Sequence, residues 1–381
     1  MNDALSHHIE AIFELLRSSY GFLFSVASKK GHWSEIRCTA LAAMCLELRE
    51  EGSSRWINAV KTWMQEQQLT DGPVRGSWGE EIWDSALCII ALKELQVSSR
   101  HKSVENGLSW IAGLFSVNGR NNWHDEPWET SWALLAILRT GRIPPKVDVG
   151  AAIQWLASLQ DDSGKIVSPH YTAYFLLINH FSGKVILGHE VRALLDRSVA
   201  KCQAYLIETL GVSEAERLWA GEAWANGQIL WCLCLSSRFP LADHALVEKT
   251  ISWFEQNQSS EGNWSDVEDT ASATLGLAAL LRNLLGLRAV IRRSNKDVDR
   301  EFERRLAGAV PIPKLSIHKG LIERDPETGY IAINFREATG RLVVAFITTV
   351  ALALGLFASV KELLPVVSPF LTTLKAFFLR R

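Results

Sequence analysis

The sequence predicts an all-α protein, a ring of six helical hairpins followed by a C-terminal transmembrane helix. Three observations carry this prediction. Tryptophan markers recur at intervals of 45 residues, apolar runs alternate with amphipathic runs, and 19 consecutive uncharged residues lie near the C-terminus. A fixed period indicates repeated units that bury their apolar faces by stacking on one another.

The first set of markers opens each apolar run. Its members are Trp33, Trp78, Trp123, Ile166, Trp219 and Trp264. The first three and the last two are spaced by 45 residues, and Ile166 stands in the interval between the two groups. The runs that follow, such as DSALCIIALKEL, are long, unbroken and rich in Ala and Leu. Such runs are typical of helices that are buried nearly all round.

A second set of markers alternates with the first and lies in amphipathic segments. Its members are Trp63, Trp110, Trp155, Tyr205 and Trp253. The N-terminal segment HHIEAIFELLRSS supplies the remaining amphipathic helix. Six amphipathic helices then alternate with six buried ones, which predicts a closed ring with the buried helices inside.

Two connecting segments, WFEQNQSSEGNW and WLASLQDDSGKI, share one spacing of aromatic, Gln, Gly and apolar residues. A third, WMQEQQLTDGPVRGSW, gives Gln68 and Gly72 and reaches Trp78 after a four-residue insertion. The pattern resembles the Gln–Trp repeat of squalene cyclases and the related repeat of protein prenyltransferase β subunits, over roughly residues 5–290. The resemblance implies an (α/α)6 toroid.

We interpret the repeated Gln and Trp residues as structural staples. They are Gln68, Gln160, Gln258, Trp78, Trp123 and Trp264. Each Gln is expected to bond backbone N–H groups at the start of the next inner helix, where four such groups lack partners. The Trp is expected to stack over that contact, and Gly permits the close approach.

The segment DVEDTA resembles the Asp-x-Asp-Asp-Thr-Ala motif of squalene–hopene cyclases and class II diterpene cyclases. In that family the middle Asp is the general acid that protonates an alkene or epoxide and starts a carbocation cascade. The resemblance carries over to Asp266, Glu268 and Asp269, with Glu268 in the place of the acid. Glu is longer by one methylene, which changes the geometry of proton transfer. An enzyme of this kind is an isomerase or lyase.

The repeat supplies a rival interpretation of these acids. Aligned on the Trp markers, Asp84 and Glu129 stand near the position of Asp269, each followed by Ser or Thr. A carboxylate at the start of an inner helix caps free N–H groups and meets the positive end of the helix dipole. Asp269 is therefore predicted to be a cap, and the roles of Asp266 and Glu268 stay open.

Aromatic residues near the inner-helix starts are predicted to line a central cavity, or alternatively to pack as core. They are Trp83, Trp128, Trp132, Tyr174, Trp224 and Trp231. In cyclases such residues stabilise cations through their π faces. No metal or cofactor is expected, because the Asp-x-Cys pattern of the prenyltransferase zinc site is absent from the sequence. The chain has residues for one toroid, whereas those cyclases react their substrate between two.

We predict three regions: the toroid at 1–290, a charged helix and short hairpin at 291–340, and a membrane region at 341–381. The uncharged stretch 342–360 spans roughly 29 Å as a helix, near the thickness of a bilayer core. The apolar tail after it lies in the interface or forms a second short membrane helix. The N-terminus has no signal-peptide pattern, which predicts a cytosolic toroid inserted by its tail.

Composition narrows the function. A net charge of −2 without basic runs argues against nucleic-acid binding, and six Cys without CxxC spacing indicate a reducing compartment. Two hypotheses remain. The favoured one is a membrane-anchored module that binds or senses an isoprenoid, a peptide or a protein partner, for instance as a bacterial defence or stress effector. The alternative is a terpene-cyclase-like enzyme that acts on a membrane isoprenoid with Glu268 as general acid.

Overall fold

The structure is a computed structural model that describes residues 2–28, 31–47, 54–116, 121–183, 185–212 and 218–294, together with two short strands at 322–324 and 331–333. The chain divides into two compact units, Met1–Lys314 and Leu315–Arg381. The described part of the first unit is almost entirely helical, as the sequence predicts.

Twelve helices and one short strand pair form the described part of the first unit. The elements are α1 (Asn2–Val26), α2 (Ile36–Glu47), α3 (Ser54–Glu66), α4 (Ile82–Glu94), α5 (Lys102–Gly113), β1 (Phe115–Ser116), β2 (Asn122–Trp123), α6 (Pro127–Thr140), α7 (Val149–Ser158), α8 (Pro169–Ser182), α9 (His189–Val212), α10 (Ala223–Leu235), α11 (His244–Asn257) and α12 (Val267–Ser294). In the second unit, β3 (Ile322–Arg324) pairs antiparallel with β4 (Ile331–Ile333).

The even-numbered helices form a closed inner ring. Each packs on the next, from α2 to α4 and onward to α12, and α12 packs in turn on α2. The odd-numbered helices lie outside: α3, α5, α7 and α9 pack on the inner helix before them, and α1 packs on both α11 and α12. Inner helices such as α10 are buried along nearly their whole length, which explains their unbroken apolar runs.

Every repeat fastens its marker residue to the next inner helix in the same way. The backbone N–H of each marker donates to a buried Ser, Thr or Asn side chain in the first turns of that helix. These anchor residues are Thr39, Ser85, Thr130, Thr172, Asn226 and Thr270. The indole N–H of each Trp marker donates to a backbone carbonyl near the end of the preceding outer helix, as Trp264 does to Phe254 at 2.9 Å.

The repeated glutamines bond differently from the expectation. Gln258 Nε2 donates to the carbonyl of Gly262 at 3.1 Å and to the carbonyl of Leu15 in α1 at 3.2 Å. Gln68 and Gln160 likewise bind a glycine carbonyl in their own loop and a carbonyl of the next outer helix. The acceptors are carbonyls and not helix-start N–H groups, because the bonding atom of each glutamine is the amide nitrogen, which donates and pairs only with acceptors.

The loop glycine presses against the same outer helix that its glutamine binds. At Gly262, φ is +87°, and an added Cβ would lie 2.4 Å from the carbonyl oxygen of Ser18. In the repeat with the insertion, Gly76 takes this place and not Gly72, since Gln68 bonds the carbonyl of Gly76. The insertion therefore loops out between Gln68 and Gly76 without moving the contact.

The predicted membrane segment 342–360 and the charged helix after residue 294 lie outside the described residues. Within the described residues, one stretch, Val267–Leu287 of α12, is long and apolar enough to cross a membrane. Most of this stretch is buried inside the protein. We assign this stretch to the inner ring, because it is buried against α10 and α2. A core helix of a protein meets the same criteria of length and composition as a membrane helix.

We expect Gly262→Ala to lower the free energy of unfolding by roughly 2–6 kcal/mol, from backbone strain and from overlap with the Ser18 carbonyl. Gly72→Ala is the matched control, because φ there is +69° and an added Cβ meets open space. Its cost should be only the backbone strain, about 1–2 kcal/mol. Chemical denaturation of both variants measures the difference, and equal losses would show that the contact with α1 carries no stability.

Candidate functional site

The N-terminal ends of the inner helices form one mouth of the ring, and the acids of DVEDTA lie there with different tasks. Asp266 is exposed and caps its own helix, since its Oδ1 accepts the N–H of Asp269 at 2.9 Å. Asp269 Oδ1 accepts the N–H of Trp224 at 2.9 Å and so caps the neighbouring helix α10. Asp269 is a cap, as the repeat indicates, but it caps the neighbouring helix α10 and not its own helix α12.

Glu268 faces the first inner helix. Its Oε2 lies 3.3 Å from Nε of Arg37, and its side chain retains 23% of its exposed surface. Burial raises the pKa of the Glu268 carboxyl, the charge of Arg37 opposes this rise, and Asp266 and Asp269 add to it. Among the three acids, Glu268 is the one whose side chain enters the mouth without a capping bond in the described structure.

Arg37 connects several groups at the mouth. Its Nη2 lies 2.8 Å from Oε2 of Glu35, and its guanidinium carbon lies 5.4 Å from the ring centre of Trp83. Asp84 also acts on the guanidinium through its charge. A guanidinium over an indole face and beside carboxylates is a favourable cation position.

Asp84 differs from its equivalents in the other repeats. Asp269 caps a neighbouring helix, and Glu129 contacts Nδ1 of His124 at 2.6 Å. Asp84 Oδ1 is buried and has no hydrogen-bond partner in the described structure. Burial, reinforced by the charge of Glu81 and opposed by Arg37, raises the pKa of Asp84 to about 6.

Six residues at one repeat position form what we call the mouth ring. Each stands two positions before an anchor residue: Arg37, Trp83, Trp128, His170, Trp224 and Glu268. Ring centres of neighbours are 5.0 Å apart for Trp83 and Trp128, 5.6 Å for Trp128 and His170, and 5.4 Å for His170 and Trp224. Burial lowers the pKa of His170 to about 4, so this imidazole is neutral at pH 7. The mouth ring thus combines four aromatic side chains with one ion pair.

A second layer lies one turn deeper, two positions after each anchor residue. Its members are Leu41, Leu87, Trp132, Tyr174, Gln228 and Ser272. All six are buried, and the Tyr174 hydroxyl donates to Gln228 Oε1 while Gln228 Nε2 donates to Ser272 Oγ at 3.3 Å. Side chains therefore fill the centre of the ring below the mouth.

The aromatic residues singled out in the sequence fall into two groups. Trp128 and Trp224 are half-buried in the mouth ring, whereas Trp83, Trp132, Tyr174 and Trp231 are buried. A groove of about 510 Å³, open to solvent, lies away from the mouth, between residues 143–150 and 186–191. That the aromatic residues named above line a ligand cavity stays a prediction.

Three contributors to the mouth were missed in the sequence: Arg37, Glu35 and His170. The alignment on Trp markers obscured them, because an anchor follows its marker by six residues in some repeats and by seven in others. Alignment on the anchor residues places Arg37 and His170 in register with Glu268. Two polar residues inside otherwise apolar runs, Gln228 and Ser272, were the sequence feature that could have indicated the deeper layer.

Comparison with known proteins identifies the fold. The type II terpene cyclase MstE from Scytonema, solved in complex with geranylgeranyl dihydroxybenzoate, matches with a TM-score of 0.53 and 12% identity over 72% of this chain and 98% of that chain. Its apo form gives a TM-score of 0.52 at 12% identity, covering 72% and 99%. A protein from Actinoplanes gives 0.51 at 13% identity, covering 70% and 98%. No family model matches the chain, and no curated protein matches it.

These matches define the class of fold as that of the terpene cyclases, an all-α toroid. Identities of 12% and 13% carry the fold and no residue role. Part of this chain covers 98% of the MstE chain, so the likeness in fold extends over nearly all of that chain.

We expect Asp84→Asn to stabilise the protein at pH 7 by roughly 1–2 kcal/mol, a value discounted for solvent screening. The folded-state pKa of about 6 lies above the ordinary Asp value of 3.8. The stability tied to protonated Asp84 is therefore fully present below pH 3.8 and lost as pH rises through about 6.

The gain from Asp84→Asn should consequently shrink toward zero near pH 4. Unfolding free energies at pH 7 and pH 4 measure it, with Asp162→Asn on an exposed loop as the control. A loss of stability at pH 7 would mean that attraction to Arg37 outweighs the burial of the Asp84 charge.

Proposed function

We propose that the protein is a type II terpene-cyclase-like enzyme that binds an isoprenoid chain at the mouth ring and protonates it with Glu268. One observation supports the proposal: Asp266 and Asp269 cap helices, whereas Glu268 pairs with Arg37 at the repeat position that Trp83, Trp128 and Trp224 occupy in other repeats. The likeness to MstE in fold supports it.

The surroundings of Glu268 suit a general acid. Burial raises the pKa of its carboxyl, which increases the protonated fraction available at a given pH. Protonating an alkene produces a carbocation, and the π faces of Trp83, Trp128 and Trp224 stand at the same level to stabilise it. The Glu268 carboxyl transfers its proton to one carbon of the terminal alkene, which leaves a cation on the other carbon. Ring closure onto this cation and loss of a proton from the cyclised cation complete an isomerisation.

The membrane assignment belongs to the same proposal. Residues 342–360 would anchor the chain in the bilayer with the toroid in the cytosol, and isoprenoids partition into lipid. An anchored toroid would then meet its substrate at the membrane surface.

A second candidate is a ligand-binding or sensing module without catalysis. The ion pair of Arg37 with Glu268 favours it, because a carboxylate held ionised by a guanidinium is a weaker proton donor. The complete burial of Trp132 and Tyr174 favours it as well, since these side chains occupy the centre of the ring. The two candidates differ in whether a bound isoprenoid is altered.

We expect the full chain, purified in detergent, to convert geranylgeranyl dihydroxybenzoate or geranylgeraniol to a cyclised isomer of the same mass. Chromatography with mass spectrometry separates the isomer from the substrate. Glu268→Gln should lower kcat by about 10²–10⁴-fold, because the general acid is lost. Wild-type activity should fall as pH rises through the raised pKa of Glu268.

The matched control is Glu261→Gln, an exposed acid in the same loop, which should retain wild-type turnover. Saturable binding of the probe without conversion, unchanged by Glu268→Gln, would favour the binding module. Neither binding nor conversion of these probes would contradict the isoprenoid proposal.

We expect the full chain to sediment with membranes and to resist extraction by high salt. Leu352→Arg, at the centre of 342–360, should shift a large part of the protein to the soluble fraction, since Arg there costs about 2.5–3.5 kcal/mol of insertion free energy. Leu69→Arg, at an exposed position of the toroid, is the control and should stay with the membrane. Wild-type protein in the soluble fraction would contradict the anchor.

A further inference from the structure

We infer that Arg37 is a positioning residue with two carboxylate partners, Glu268 in the resting protein and Asp84 once a ligand enters, and that its transfer frees Glu268 to act as an acid. This inference rests on the proposed function of Glu268. It concerns how the acid is controlled, and its test has a readout that does not require turnover.

The resting position is defined by the contacts of the guanidinium. Nε lies 3.3 Å from Glu268 Oε2, Nη2 lies 2.8 Å from Glu35 Oε2, and the guanidinium carbon lies 5.4 Å from the ring centre of Trp83. A positive group between an indole face and a carboxylate occupies the place that a cationic intermediate would need. A ligand that reacts at Glu268 therefore has to displace Arg37.

Asp84 supplies the second partner. Its Oδ1 is buried without a hydrogen bond in the described structure, and an unpaired buried acceptor carries a cost that a new donor would remove. Asp84 already attracts the Arg37 guanidinium through its charge. It also adjoins Trp83 in sequence, so Arg37 can turn to Asp84 while it remains beside the Trp83 ring.

The flanking charges favour a short movement over a large one. Glu35, just before α2, and Glu81, just before α4, also face this cluster, and they add negative charge on the Asp84 side. Asp266 and Asp269 act on Glu268 from its own helix and raise its pKa once Arg37 is gone. Every element at this corner of the mouth thus presents carboxylates to one guanidinium.

The repeat position explains why this control exists only once. The other members of the mouth ring are aromatic: Trp83, Trp128, His170 and Trp224. Only the neighbouring helices α12 and α2 carry an acid and a base in register. The pair therefore marks the one sector of the ring where a proton can be held and released.

The test measures the pKa of Glu268 by carbon NMR of protein labelled at the Glu side-chain carboxyl, with Glu268→Gln to assign the signal. Arg37→Gln should raise this pKa by about one unit or more, because an opposite charge within 4–6 Å is removed. Arg37→Lys should give a smaller rise. Arg142→Gln removes an exposed ion pair with Glu105 and should leave the Glu268 signal unchanged.

Asp84→Asn separates a two-partner arrangement from a simple ion pair. In wild type, a bound saturated analogue of geranylgeraniol, which cannot be protonated, should raise the pKa of Glu268, because Arg37 moves to Asp84. Without its second partner Arg37 stays on Glu268, and this ligand-induced rise should be lost in Asp84→Asn. In turnover assays kcat should drop several-fold with KM unchanged, and the pH limb assigned to Glu268 should move to lower pH.

Two results would overturn the inference: an unchanged Glu268 pKa in a folded Arg37→Gln protein, or a ligand-induced rise in the Glu268 pKa that Asp84→Asn does not diminish. Absence of turnover in wild type, combined with the expected NMR shifts, would reject the proposed enzyme while supporting the two partners of Arg37. Turnover without the NMR shifts would do the reverse. If Arg37→Gln does not fold, Arg37→Lys and Asp84→Asn still decide the question.

Discussion

The contact between the last repeat and the first helix is the constraint on which the rest of the structure depends. Gln258 donates to the carbonyl of Leu15 in α1, and Gly262 packs against Ser18 of the same helix. Gln68 and Gln160 make the equivalent bonds to α5 and α9. A linear stack of hairpins would leave its terminal apolar faces in water, whereas a ring has no terminal repeat. Closure also brings α12 against α2, so that Glu268 meets Arg37 from the other end of the repeat series.

The fold could be predicted because its main determinants are periodic. Markers spaced by 45 residues and alternating apolar and amphipathic runs fixed twelve helices and their inner or outer places. The partner of each glutamine could not be predicted, because a sequence does not tell which end of the amide faces which backbone group. In the structure the donor Nε2 faces carbonyls of the loop glycine and of an outer helix. Gly76 was not recognised as the equivalent of Gly262, because the insertion after Gln68 changes the spacing between the two residues. The packing of the loop on the outer helix, and not this spacing, decides which glycine makes the contact.

The candidate site could be predicted in part. DVEDTA drew attention to the helix start where Glu268 lies beside Arg37, and the repeat indicated that Asp269 is a cap. Its actual target is the N–H of Trp224 on the neighbouring helix, which follows from the tight packing of α10 on α12 and not from local sequence. Arg37 was missed because it comes close to Glu268 only when the ring closes, and a search along the chain does not pair the first repeat with the last.

The mouth ring shows how a symmetric framework acquires one charged sector. Six helices present one side chain each at the same depth, and four of these are aromatic, so most of the circumference offers π faces and apolar surface. A single charge in such a setting is costly to desolvate unless an opposite charge lies beside it. Arg37 and Glu268 therefore have to occupy adjacent helices, and they lie where the first and last inner helices meet. Asp84, one helix further on, extends the charged sector, because a guanidinium that leaves Glu268 needs another carboxylate within reach.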